Sequence, residues 1–201
     1  MVEKLEYKST IKSRPFLYKE MKKAAILLNK GFREFEIKDI AKKDNIFQVD
    51  TETRRSEIAS IVLQRLKALD DFFVDRLANG EIGTSKQIAV YAIMKTDRLF
   101  FEFMHEVYRE KILLRDFILQ DKDFNMFFDR KKEQSERVAS WKDYTFYKLK
   151  QVYIRILYEA GLIKNQKKDR EIIQPIIDEE VACHLREIGD TQYLNALIGE
   201  M

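Results

Sequence analysis

Apolar residues recur three and four positions apart along most of this chain, the spacing of helices that bury one side. From Arg14-Pro15 onward, Leu17, Met21, Ala24, Ala25 and Leu28 keep that interval until Gly31, a residue suited to closing a helix, so a first helix is expected there. A short second helix is expected over Phe35–Lys43, with a turn at Asn45. Asp50 or Thr51 can accept hydrogen bonds from the free amides of a new turn. Beyond them Ile58, Ile61, Val62, Leu66, Leu69 and Phe73 mark one face of a long third helix, expected to end near Asn79-Gly80.

The stretch NGEIGTS, Asn79 to Ser85, concentrates two of the six glycines and is the expected boundary between two units. The first, residues 1–80, reads as a helical, helix-turn-helix-like unit; the second covers residues 84–201. Ser85 is expected to cap a helix carrying Ile88, Tyr91, Ala92, Leu99, Phe103 and Val107, which either reaches Leu114 or bends at Lys95-Thr96. Asp121 or Asp123 then begins a helix through Phe124, Phe127 and Phe128, and Asp143 begins another that Gly161 ends. Trp141, just before that last helix, is expected to anchor it against the core. After Gly161, Leu162-Ile163 and Ile172-Ile173 form the one strand-like pair bounded by turn signals, and Pro175 limits the second to an edge. The apolar positions after Pro175, namely Ile176, Ile177, Val181, Leu185, Ile188, Leu194 and Leu197, read as helices that close the core. The expected fold class is mainly α, with one small β-hairpin and a winged-helix-like C-terminal part.

The helix from Asp143 carries the most informative surface. At about 100° per residue, Thr145, Phe146, Leu149, Val152, Tyr153, Ile156 and Ala160 share the inward side. The outward side then holds Tyr144, Tyr147, Lys148, Gln151, Arg155 and Tyr158, a set rich in aromatic and basic groups that suits phosphates and base edges. Between the two expected strands, the seven residues Lys164 to Arg170 carry four positive charges (Lys164, Lys167, Lys168, Arg170) and one negative. A solvated turn can look the same, but helix, short helix, long helix and cationic hairpin is the winged-helix order, in which the wing tip hangs over the nucleic-acid backbone. A second basic group, Thr53, Arg54 and Arg55, stands at the start of the long third helix, where free amides also attract phosphate; an ordinary capping segment explains it at least as well.

Composition narrows the remaining classes. A chain of 201 residues with 45% hydrophobic content can bury a substantial core. Its longest purely apolar run, Ile88 to Met94, is far shorter than the roughly 20 residues of a membrane span, so no membrane association is expected. The single cysteine, Cys183, cannot form an internal disulfide, which fits a cytoplasmic protein. His105 and His184 stand in no metal-binding or general-base pattern, and Cys183 and His184, adjacent on a helix, point about 100° apart. No phosphate-binding glycine loop or zinc spacing occurs, and no cofactor, metal, small-molecule substrate or catalytic set is expected.

Three stretches, NIFQVDTETRRSEIASIVLQRLKAL from Asn45, KQIAVYAIMKTDRLFFEFMHEV from Lys86 and VASWKDYTFYKLKQVYIRILYEAGLI from Val138, together resemble the BrxA family of BREX bacteriophage-defence systems. The resemblance spans nearly the whole chain in the same order. It implies a non-enzymatic, DNA-binding accessory protein acting on double-stranded DNA beside other BREX components. It supplies no catalytic set, so the site residues rest on the face analysis above. Two competing readings follow from the same residues: an RNA-binding helical module, and an interaction scaffold with Tyr144, Tyr147 and Tyr158 as an aromatic hot spot.

Overall fold

In the computed structural model, residues 5–13 and 15–200 are described, so Arg14, at the expected opening of the first helix, lies outside them. They form two compact units. One spans residues 16–96, and the other joins the N-terminal segment up to residue 15 to everything from Asp97 onward. The expected boundary at Asn79–Ser85 instead lies within the first of these units, at a tight turn around Gly80 between two helices. There Gly80 approaches the Arg76 carbonyl so closely that an added Cβ would lie 2.4 Å from its oxygen.

The unit of residues 16–96 consists of α1 (Tyr18–Asn29), α2 (Glu34–Lys43), α3 (Glu52–Leu66), α4 (Asp71–Asn79) and α5 (Ile82–Thr96). Every residue of the apolar run Ile88–Met94 is buried, which makes α5 the central helix, packed by α1, α3 and α4. Thr51 caps α3 as expected, its Oγ1 accepting the Arg54 amide at 3.3 Å. The single long third helix does not form: Asp70 Oδ1 accepts the Phe73 amide at 3.0 Å and starts a new helix, α4. Ser85 is no cap either. It is buried inside α5, where its hydroxyl reaches the Arg76 and Gly80 carbonyls, both at 3.2 Å, and closes the turn that precedes the helix.

The second unit contains a 3-10 turn (Thr10–Ser13), α6 (Arg98–Phe103), a π-helical segment (Met104–Tyr108), α7 (Arg109–Leu113), β1 (Ile118–Leu119), α8 (Asp121–Gln134), α9 (Glu136–Ala139), α10 (Asp143–Ala160), β2 (Arg170–Glu171), α11 (Glu179–Glu187) and α12 (Thr191–Ile198). The bend foreseen at Lys95-Thr96 is a full break, with Asp97 Oδ1 capping α6 through the Phe100 amide at 2.9 Å. Its core is aromatic. Phe103 stacks on Phe124 at 4.8 Å and packs against Tyr153 at 5.2 Å, while Phe128 meets Phe146 at 5.4 Å. Beside it lies a charged network: Lys131, 3% exposed, pairs with Glu102 at 2.8 Å and Glu106 at 2.5 Å. Glu102 also accepts from Arg98 at 2.7 Å and from the Tyr7 hydroxyl at 2.9 Å, which fastens the N-terminal segment to this unit. Burial first, and then Glu102, push the Tyr7 hydroxyl up to about 12.

The expected hairpin is present, narrowed to an antiparallel Ile163–Ile172 pair and flanked by Lys164 N to Glu171 O and Ile173 N to Leu162 O, both at 2.9 Å. The sequence did not reveal its third member. β1 pairs antiparallel with β2, Ile118 opposite Glu171 and Leu119 opposite Arg170. The protein is thus mainly helical with one small antiparallel sheet. Val181, Leu185, Leu194 and Leu197 close the core as expected, whereas Ile176 is 93% exposed and Ile177 half-buried, because the segment after Pro175 leaves the sheet before α11 begins; Ile188, which follows the last turn of α11, is also exposed.

Candidate nucleic-acid interface

The helix α10 is amphipathic, and its ends are well defined. Gly161 at φ +82° terminates it in the left-handed conformation that lets the chain turn directly into Leu162. Thr145, Phe146, Leu149, Tyr153 and Ile156 are buried as expected. Ile154 and Leu157 join them, while Val152 and Ala160 are only half-buried. Trp141 is half-buried, its ring 6.0 Å from Phe146, so it packs at the margin of the core and does not anchor its centre.

On the outward side Tyr144 is 66%, Tyr147 51% and Tyr158 43% exposed, with Gln151 and Arg155 exposed between them. The Tyr144 and Tyr147 rings lie 6.3 Å apart. Lys148, half-buried, places its ammonium 5.3 Å from the first ring centre and 5.9 Å from the second, a cation–π arrangement that keeps the charge at the surface. Gln151 donates to the Tyr147 hydroxyl at 2.8 Å, and Arg155 pairs with Glu159 at 2.6 Å. The six residues selected on helical periodicity therefore do form one stripe, although Arg155 carries a carboxylate beside it.

The loop after α10 is less uniform than its sequence. Lys167 and Lys168 are exposed at the tip, and among the described residues neither ammonium makes a hydrogen bond or ion pair. Lys164 pairs with Glu171 across the hairpin. Arg170 departs most from a phosphate-facing role: it is 5% exposed, donates to Asp121 at 2.8 Å and lies over the Phe124 ring at 5.7 Å. Asp121 also receives Lys150 at 3.0 Å; this bond first, and then Arg170, hold its carboxyl below the usual carboxylate range despite partial burial. The hairpin base is held from beneath by the buried Tyr108, whose hydroxyl donates to the Ile173 carbonyl at 2.8 Å.

Thr53, Arg54 and Arg55 belong to the other compact unit. Thr53 is exposed. Arg54 pairs with Glu57 at 3.0 Å, and Arg55 donates to the carbonyls of Val49, Lys42 and Asp50 at 2.8, 3.2 and 3.4 Å. Arg55 thus braces the loop before α3 and is not a freely solvated arginine. Asp121, Lys150, Gln120 and Asn165, which shape the loop, escaped the sequence reading. Only Asp121 gave a signal, and it read as a helix start.

Other chemistry is sparse. Among the described residues no cluster of three or more His, Cys, Asp or Glu side chains has a metal-binding arrangement. The Cys183 thiol donates to Glu187, which pushes its pKa up and disfavours the thiolate. No described helix is long and apolar enough to cross a membrane.

Comparison with known proteins places this architecture. Residues 5–189 match the BrxA family. A "BREX protein BrxA" from Bacillus cereus is 60% identical over 200 residues, covering 100% of both chains. A "BREX protein BrxA" from Paramagnetospirillum magneticum is 24% identical over 188 residues, 94% of each. The crystal structure of an uncharacterized protein from Magnetospirillum magneticum shares the fold with a TM-score of 0.83 at 24% identity, covering 98% of this chain and 100% of that one. With the family matched across almost its entire length and a full-length relative at 60% identity, this chain belongs to the BrxA family.

Proposed function

We propose that this protein, an accessory component of a BREX phage-defence system, binds double-stranded DNA in the cytoplasm through the outward face of α10 and the tip of the loop that follows it. The observation that carries the reading is the exposed stripe of Tyr144, Tyr147, Lys148, Gln151, Arg155 and Tyr158 on a helix leading directly into the exposed Lys167 and Lys168. The order of elements supports it: helix, β1, α8, α10 and a hairpin whose returning strand pairs with β1 is the order of a winged helix, with the four-residue α9 added between its last two helices. In that arrangement Lys148 and Gln151 reach base edges, while Lys167 and Lys168 neutralise phosphates. Lys164 and Arg170, engaged with Glu171 and Asp121, serve the loop's architecture. The role is non-enzymatic, and other BREX components are its natural protein partners.

The tip separates this reading from a solvated turn. Lys167→Ala with Lys168→Ala is expected to lower the slope of log affinity against log salt by about 2, because each phosphate contact contributes about 0.9. It should do so for all duplex sequences alike and change folding stability by no more than about 0.5 kcal/mol. Unchanged affinity at every salt concentration would remove the tip from the interface. The three exposed tyrosines favour one other reading, a protein-docking hot spot, which predicts weak salt dependence and loss of partner binding in Tyr144→Ala.

A further inference from the structure

The cationic loop is tied down at several points, and three of the bonds converge on the start of α8. Asp121 accepts Lys150 of α10 on Oδ2 at 3.0 Å and Arg170 of β2 on Oδ1 at 2.8 Å. Arg170 adds bonds to the carbonyls of Gln166 and Leu119 at 3.1 and 3.4 Å, so one guanidinium spans the loop, β1 and α8. One residue earlier, Gln120 Nε2 donates to Asp169 Oδ1 at 2.7 Å. Inside the loop, Asn165 donates to the carbonyls of Lys167 and Asp169 at 2.7 and 3.1 Å and accepts the Glu171 amide at 3.3 Å. Lys168 is held at φ +58°, a conformation that residues with a Cβ adopt only when their surroundings impose it.

These ties have a common consequence. A flexible loop bearing two lysines loses part of its binding free energy to ordering when it meets a polyanion, whereas a loop ordered during folding does not. Two of the local cations, Lys150 and Arg170, are spent on Asp121, and what they secure is the position of the two at the tip. We infer that Asp121 is a positioning residue for nucleic-acid binding: by joining α8, α10 and β2 it presents Lys167 and Lys168 at a fixed place beside the outward face of α10, so that helix and tip engage one stretch of sugar–phosphate backbone together. The inference rests on the DNA-binding reading of that face. It predicts that the lysines lose their effect when the carboxylate is removed, although Asp121 itself touches no phosphate.

The test is a mutant cycle in the full-length chain with a duplex oligonucleotide, reading the salt slope and checking the fold by far-UV circular dichroism. Because Asp121→Ala alone strands the buried Arg170, the clasp is removed as Asp121→Ala with Arg170→Met. Should that pair fail to fold, Lys150→Met with Arg170→Met, which removes both donors to the exposed Asp121 carboxylate, serves the same comparison. In the wild-type background the two lysine substitutions lower the slope by about 2; in the clasp-free background they are expected to lower it by about 1 or less. Equal decreases in both backgrounds overturn the positioning role while leaving DNA binding intact. No decrease in the wild-type background overturns the binding role of the tip, and the inference with it.

Discussion

Lys131 shows how one side chain can commit a surface helix to a core. Its ammonium is almost fully buried, and it avoids the cost of an isolated charge only because Glu102 and Glu106 both reach it, with Arg98 and Tyr7 completing the sphere around Glu102. Burial alone would raise the Glu102 carboxyl, but Lys131 and Arg98 outweigh it and hold the group below its ordinary value. A carboxylate with a depressed folded-state pKa contributes stability above its unfolded pKa of about 4.3 and loses it as pH falls through the folded value. Urea unfolding should therefore show stability declining below about pH 4. Glu102→Gln should cost about 3 kcal/mol at pH 7 and flatten that acid limb. An acid limb of unchanged steepness in the variant would place the titration elsewhere. Nothing in the sequence marked this network, since Tyr7 and Glu102 stand 95 positions apart. The pairing of Arg170 is hidden for the same reason: its partner Asp121 lies 49 residues earlier, and a loop sequence displays charge without displaying what neutralises it. Thr51, by contrast, was legible, because a cap needs only the amide three residues on.

Elements were predictable to the degree that their causes are local. The helix α10 could be drawn from periodicity and Gly161 alone, and the stripe Tyr144 to Tyr158 follows once the inward face is known. Gly161 sits at φ +82° with open space where a Cβ would go, so Gly161→Ala meets no clash and carries only the backbone cost of the left-handed region, about 1–2 kcal/mol. Denaturant unfolding with an unchanged m-value measures it; a loss well below that range would mean the helix end relaxes into another turn. The break between α3 and α4 was hidden because apolar spacing continues across Lys67–Asp70, and only the Asp70 cap marks it. β1 was invisible for a different reason: a strand of two residues has no period to detect, and its pairing with β2 is decided by tertiary contacts.

At the scale of the molecule, the division into units departs from chain order. Asn79–Ser85 carries the composition of a linker, yet Ser85 and Gly80 make it a packed turn, and the chain changes units at Thr96–Asp97 instead. The N-terminal residues belong with the second unit, where Tyr7 binds Glu102, Ile11 is buried and the Thr10–Ser13 turn packs on α10. Removing residues 1–13 should accordingly destabilise the unit that contains α10, visible as faster amide hydrogen exchange throughout its aromatic core, with protection in α5 retained. Equal loss of protection in α5 would contradict the division.

The interface proposed for double-stranded DNA is α10 together with the loop after it. Its most direct test is the affinity of the wild-type protein for a duplex oligonucleotide across a range of salt concentrations, with RNA of equal length as competitor. The expected result is a linear fall of log affinity with log salt, at a slope of about −0.9 for each phosphate neutralised and therefore of magnitude about 2 or more, with the DNA duplex preferred. Absence of binding at low salt, or a slope near zero, would contradict it.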